Sequence, residues 1–244
     1  MKIDYAIMSS DSNDLYLDFW PYVSKIWKLK FNIEPILIYI DNEDKQIDTT
    51  YGKVYKIKPI DSFPIYIQNL FVRYWYPITI SDKTTIITDI DMLPISQYYF
   101  KEQITNIDDD KYVHINPCIK SYGMIPSCYH IAKGKTYKEI LDLSNSFELS
   151  LNQLNNFKNN RTNKEFWFTD EMYASEKLNK IKDKKKIVLI ERQDGQNGHR
   201  IDRENWIYDE KLIKSEYYFD SHCIRPIKMY KKEIDKLVNL IMGN

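Results

Sequence analysis

Across its first hundred residues the chain alternates short runs of β-branched and aliphatic residues with longer stretches of helical apolar spacing. That alternation narrows the possible folds more than any other feature. Lys2 to Met8 reads as a strand, and after the polar loop from Ser9 to Asn13 the residues Tyr16, Phe19, Trp20, Val23, Ile26 and Trp27 recur at the helical period. Ile36 to Ile40 reads as a buried strand ending at Asp41, and Val54 to Ile57 as a third. An amphipathic helix is expected from Ile65 to Tyr76, stopped by Pro77, whose ring removes a donor and clashes with the preceding turn. A fourth strand then carries Thr85 to Thr88. Repetition of this kind predicts an α/β fold with a mostly parallel, doubly wound central sheet flanked by helices. Ligands of such sheets collect at the carboxyl ends of strands, and Asp11, Asp41, Asp89 and Asp91 all fall at or just beyond such ends.

Asp89 and Asp91 stand one residue apart where the fourth strand leaves the core. Side chains of an extended chain repeat every second residue, so the two carboxylates are expected to point the same way while Ile90 points back into the fold. Like charges beside a core are costly unless a cation or a donor network neutralises them. Mg2+ or Mn2+ would do so, because hard cations prefer carboxylate oxygens and keep positions open for water and substrate phosphates. A solvated strand end leading into a turn at Pro94 shows the same pattern, so by itself the pair leaves both readings open.

A length of 244 residues is enough to bury a full core, and we expect one domain over 1–244. A hydrophobic content of 43% together with 20 tyrosines excludes a disordered chain. The 35 basic residues balance 35 acidic ones, so nothing global attracts nucleic acid or an anionic membrane, and the lysine clusters around 180–186 and 228–236 read as solvated faces. No apolar run reaches the ~18 residues of a membrane helix, and the N-terminus enters a strand rather than a signal peptide. Cys118, Cys128 and Cys223 have neither the count nor the spacing of a disulfide framework or a zinc site. A soluble, cytoplasmic protein without an integral membrane segment is therefore expected.

The second half is less regular. Strands are expected near Lys111 to Asn116 and Cys128 to Ala132, then a helix from Thr136 whose Glu139 completes a capping box. Further helices are expected over Phe147 to Phe157, from near Thr169, and from Lys228 to Met242, with a short strand at Ile187 to Ile190. Asp170 and Glu171 open the helix at Thr169, where an acid serves either as a cap or as a reacting carboxylate. Arg192 to Trp206 is polar and flexible in composition, as a loop over a site would be. Within it Arg200 and Arg203 either contact phosphates or pair with Asp202 and Glu204. Asp108 to Asp110 reads as a solvated turn, and His114 and His130 as core hydrogen-bonding residues.

Four stretches together carry a resemblance. Gln68 to Pro77, including Arg73, precedes Thr88-Asp89-Ile90-Asp91; Phe166 to Glu171 is an aromatic, acid-containing approach to a helix; and Tyr218-Phe219-Asp220-Ser221-His222-Cys223-Ile224-Arg225-Pro226 lies near the C-terminus. In this order they resemble the GT-A fold glycosyltransferases of the nucleotide-diphosphosugar transferase superfamily, most of all glycogenin-like enzymes. The resemblance implies a Rossmann-like GT-A domain, with 1–100 as the nucleotide-sugar-binding half and 101–244 as the acceptor-side half. It implies that Asp89, Asp91 and His222 hold Mn2+ or Mg2+ and that Arg73 and Arg225 face the diphosphate of a UDP-sugar donor. Asp11 and Asp41 would read the nucleoside, and Asp220 is available to orient His222. Asp170 and Glu171 would stand near the transferred sugar, as general base in an inverting enzyme or beside the anomeric carbon in a retaining one. A histidine as third ligand points to retention. The implied activity is hexosyl or N-acetylhexosaminyl transfer to a glycan, protein or small-molecule hydroxyl. The segment departs from glycogenin in having Cys223, Ile224 and Arg225 in place of a glycine and lysine, which leaves the role of Arg225 less directly implied. Two other readings use the same acids: a metal-dependent nucleotidyl or phosphoryl transferase, and a non-catalytic sugar-nucleotide-binding module. Against the former, the chain has no P-loop, and no Gly-Thr follows the acid pair as it does in haloacid-dehalogenase phosphatases.

Overall fold

Strand β1 (Tyr5–Ser10) lies between β2 (Glu34–Ile40) and β4 (Thr84–Ile87), with β3 (Lys53–Ile57) beyond β2, and all these neighbours are parallel. The computed structural model describes residues 1–115, 124–159, 167–190 and 200–243. Among them the remaining strands are β5 (Met92–Pro94), β6 (Tyr112–Ile115), β7 (His130–Lys133), β8 (Ile187–Ile190), β9 (Arg200–Ile201) and β10 (Asp220–His222). The main sheet runs β3-β2-β1-β4-β7-β6-β8, in which β7 is antiparallel to both its neighbours. A second, three-stranded sheet runs β5-β10-β9.

Both faces of the main sheet are covered. In β2, Leu37 and Tyr39 join one apolar cluster with Trp20 and Trp27, while Ile36, Ile38 and Ile40 join another with Phe71 and Tyr74. A strand buried on both sides loses the polar alternation of a half-exposed one, which is why these segments read as unbroken apolar runs. Each cluster combines residues from before and after residue 100.

Among the described residues the α-helices are α1 (Asp14–Leu17), α2 (Trp20–Leu29), α3 (Ile65–Trp75), α4 (Gln97–Phe100), α5 (Gly134–Leu141), α6 (Phe147–Asn159), α7 (Thr169–Lys180), α8 (Glu210–Lys214) and α9 (Ile227–Met242). The single helix expected after Ser9–Asn13 is two, because α2 starts afresh with Pro21 in its first turn, where a missing donor costs nothing. The capping box expected at Thr136 and Glu139 does not form. The helix begins two residues earlier, and its N-terminal donors Gly134 N and Lys135 N are taken by the carbonyls of Lys83 (3.2 Å) and Ser81 (3.0 Å). Gly134 is required there, since a Cβ would lie 1.9 Å from the Pro77 carbonyl oxygen. None of the helices in the described residues is long and apolar enough to cross a membrane.

Candidate active site

Strand order reverses between β1 and β4, so the chain segments leaving these two strands diverge and open a crevice at their carboxyl ends. A cavity of about 390 Å3 occupies it. Ser9, Ser10 and Asp11 line it from the end of β1, Asn69 and Arg73 from α3, and Asp89 to Met92 from the segment after β4. Ser127, Trp167, Asp170 and Glu171 also line it, as do Arg203, His222 and Arg225.

The acid pair does not lie on an extended strand as the sequence suggested. β4 ends at Ile87, and Asp89–Asp91 forms a turn in which Met92 N donates to the Asp89 carbonyl at 3.2 Å. A turn rotates successive side chains out of the two-residue repeat, so the two carboxylates meet different partners. Asp89 accepts a hydrogen bond from Arg73, whereas Oδ2 of the buried Asp91 lies 2.7 Å from Arg203 Nη2 and 3.5 Å from Arg225 Nη1. Ile90 is buried, as expected.

Arg73 sits in the last turn of α3, 4% exposed, and is shared by two acids: it bonds Asp89 and lies 3.7 Å from Asp170 Oδ2. Burial alone would push its pKa down, but the two carboxylates outweigh it and hold the guanidinium charged. Asp170, in the first turn of α7, does not act as a cap. Both of its oxygens are buried without a hydrogen-bond partner among the described residues, and burial, only partly offset by Arg73, raises its pKa to about 7. Glu171 accepts from Ser127 N at 3.0 Å, and burial raises it too. A carboxyl with a pKa of about 7 can give up or take a proton near neutral pH, as a general acid or base must.

The second sheet delivers the C-terminal residues. β10 runs antiparallel to β5, with His222 opposite Met92, and Cys223 N donates to the Asp91 carbonyl at 3.0 Å. This pairing brings His222 Nε2 to 3.9 Å from Asp91 Oδ2, while Nδ1 lies 3.7 Å from Asp202. Burial lowers the His222 pKa despite Asp91. β9 pairs with β10 on its other side, and the turn after it, where Asn205 N donates to the Asp202 carbonyl at 3.2 Å, carries Arg203 to Asp91. Arg225 stacks over Tyr16, 4.7 Å from the ring centre.

Three expected roles fall elsewhere. Asp41 is not among the lining residues. Its carboxylate accepts from Ser12 N (2.8 Å) and Glu43 N (3.0 Å) and so holds the loop after β1, whereas Asp11 does face the cavity. Asp220 does not reach His222 but is buried against Arg200, with Nε at 2.7 Å, and accepts from Tyr129 Oη. Arg200 and Arg203 accordingly pair with Asp220 and Asp91, not with Asp202 and Glu204. His114 and His130 are core residues, both within hydrogen-bond distance of the Pro126 carbonyl. Phe166, Cys118 and residues 191–199 of the expected loop lie outside the described residues. Sequence reasoning left out Ser127, for which no local signal exists, and gave the half-exposed Trp167 only as part of the aromatic approach to α7.

For a divalent cation the donors fit in kind: two carboxylates and an imidazole, with the orphaned oxygens of Asp170 in the same cavity. In arrangement they are engaged elsewhere. Among the described residues no three His, Cys, Asp or Glu side chains stand close enough together to hold a metal ion, because Asp89 and Asp91 are each turned to an arginine.

No protein-family model and no curated protein matches the chain in sequence. Solved structures do match it in fold. The glycosyltransferase GlyE of Streptococcus pneumoniae TIGR4 is similar with a TM-score of 0.56 at 11% identity, over 100% of this chain and 63% of GlyE, so the chain spans less than two thirds of that protein. The galactosyltransferase LgtC, solved with donor and acceptor sugar analogues, is similar with a TM-score of 0.55 at 12% identity, over 98% of this chain and 95% of LgtC. These matches identify the fold as GT-A, as the sequence led us to expect, and do not bear on the expected nearness to glycogenin-like enzymes.

Proposed function

We propose that this GT-A chain is a glycosyltransferase that moves a hexosyl or N-acetylhexosaminyl group from a UDP-sugar to a hydroxyl of a glycan, protein or small molecule. One observation carries the reading. Acids and bases from five separate segments, Asp11, Arg73, Asp89 with Asp91, Asp170 with Glu171, and His222 with Arg225, line a single cavity at the sheet's carboxyl end. The fold shared with GlyE and LgtC supports it.

The charge of the cavity bears on what enters. Five lining carboxyl groups face three guanidinium groups, so a diphosphate dianion meets net negative charge unless a divalent cation accompanies it. In the proposed reading Asp89, Asp91 and His222 would hold Mn2+ or Mg2+, which when bound neutralises charge growing on the departing UDP. Arg73 and Arg225 stabilise the same oxygens, and preorganised charge of this sort is commonly the largest catalytic contribution. In this reading Asp170, whose carboxyl has a pKa of about 7, would stand near the transferred sugar, and the half-exposed Trp167 lines the same cavity. Asp11, which lines the cavity, would read the nucleoside. With His222 as third ligand, this reading points to a retaining course.

A panel of UDP-sugars scored by thermal shift with Mn2+ tests the proposal. A ligand that binds only the folded state at about one hundred times its dissociation constant adds about 2.7 kcal/mol, so the true donor stands out. Asp91→Asn should abolish metal-dependent transfer or hydrolysis of that donor. Tight binding without turnover would favour a binding module, and pyrophosphate release from a nucleoside triphosphate a nucleotidyl transferase; either result overturns the assignment.

A further inference from the structure

Asp91 presents one nearly buried oxygen to three groups at once: Arg203 at 2.7 Å, Arg225 at 3.5 Å and His222 at 3.9 Å. Of these, Arg203 is the close ion pair. A divalent cation binds carboxylate oxygens at about 2.1 Å, and a dication that near Asp91 would repel a guanidinium hydrogen-bonded to the same carboxylate. Arg203 cannot keep its present contact while such a cation is held. It also has unused capacity, since its Nε is buried without a hydrogen-bond partner among the described residues, in a side chain that lines the cavity. A planar guanidinium released from a carboxylate suits a phosphate oxygen equally well.

We infer that Arg203 is an exchangeable counter-ion: it neutralises Asp91 in the free protein, gives that carboxylate up to a divalent cation, and transfers its own charge to the diphosphate that arrives with it. The inference rests on the nucleotide-sugar reading above and adds a residue that reading did not contain. Its consequence is thermodynamic. Cation and diphosphate must each bind weakly alone and strongly together, because each supplies the partner that the other deprives of one, and linkage makes the enhancement equal in both directions.

Mn2+ binding followed by electron paramagnetic resonance, and UDP binding followed by calorimetry, test this without any activity measurement. Saturating UDP should tighten Mn2+ binding by the wild-type protein about tenfold or more, as expected for a charged hydrogen bond exchanged rather than lost. Arg203→Gln should tighten Mn2+ binding in the absence of UDP about tenfold, weaken UDP binding in a chelator several-fold, and shrink the coupling between them. Those opposite signs separate the proposed role from a structural one, which would weaken both ligands together. Arg203→Lys keeps the charge and should leave Mn2+ affinity within about twofold of wild type. If Arg203→Gln does not fold, the wild-type coupling and the lysine variant still decide. Absence of coupling in the wild type, an unchanged or weaker Mn2+ affinity in Arg203→Gln, or a tenfold tightening in Arg203→Lys each overturns the inference. A wild-type protein that binds no UDP with or without Mn2+ overturns the functional reading itself, a result distinct from UDP binding without coupling.

Discussion

Asp170 is the least compensated charge of the cavity, and its position makes a prediction about pH. Its carboxyl has a pKa of about 7 in the folded protein against 3.8 for the ordinary group, so between those values the folded state binds more protons than the unfolded one. Stability should therefore fall as pH rises from about 4 to 7, with the loss complete above that window. Asp170→Asn cannot ionise. It should match wild type near pH 4 and exceed it at pH 8 by on the order of 1 to 4 kcal/mol, while losing sugar transfer. Urea denaturation at the two pH values checks this, and an unaltered pH slope would count against it. Arg73→Met is the converse case, because it strands Asp89 and Asp170 without their common cation. It should cost about 3 kcal/mol at pH 8 and less at pH 5, where Asp170 is protonated, by the same measurement. Neither partner choice is legible in the sequence. Arg73 is assigned to the donor site only by the resemblance to GT-A glycosyltransferases, and which carboxylates it serves depends on a turn that local spacing reads as strand.

Among the secondary-structure elements, the starts and stops were harder to read than the elements themselves. α3 and α9 fall close to where their periodicity puts them, since each buries a continuous apolar face, and β2 falls close to its unbroken apolar run. The start of α5 does not, because its donors are satisfied by carbonyls from the segment before β4 instead of by its own side chains. Two substitutions separate these accounts. Gly134→Ala drives a Cβ into backbone atoms of Pro77 and Ser81 and should cost about 2 kcal/mol or more. Glu139→Gln should cost under about 0.5 kcal/mol, because Glu139 only pairs with Lys186 at the surface. Equal losses in chemical denaturation would restore the capping box.

The whole molecule depends on pieces distant in sequence. The four residues of α9 buried deepest, Ile234, Leu237, Val238 and Ile241, pack into the cluster that includes Trp20 and Trp27 of α2. Burying each contributes about 1.5 to 3 kcal/mol, a total comparable with the ~5 to 15 kcal/mol stability of a whole domain. A chain ending at Pro226 should therefore show no cooperative thermal transition by circular dichroism; a sharp melt would show that the first 226 residues suffice. Local sequence by itself determined the alternation of strand and helix and the chemistry available at the strand ends, because periodicity and side-chain type are properties of short segments. Only the tertiary structure decided which charges meet. His222 reaches Asp91 because β10 pairs with β5, Arg203 because β9 pairs with β10, and Asp41 turns away because the loop after β1 needs its carboxylate. Backbone pairing between remote strands chooses those partners, and no local pattern encodes it.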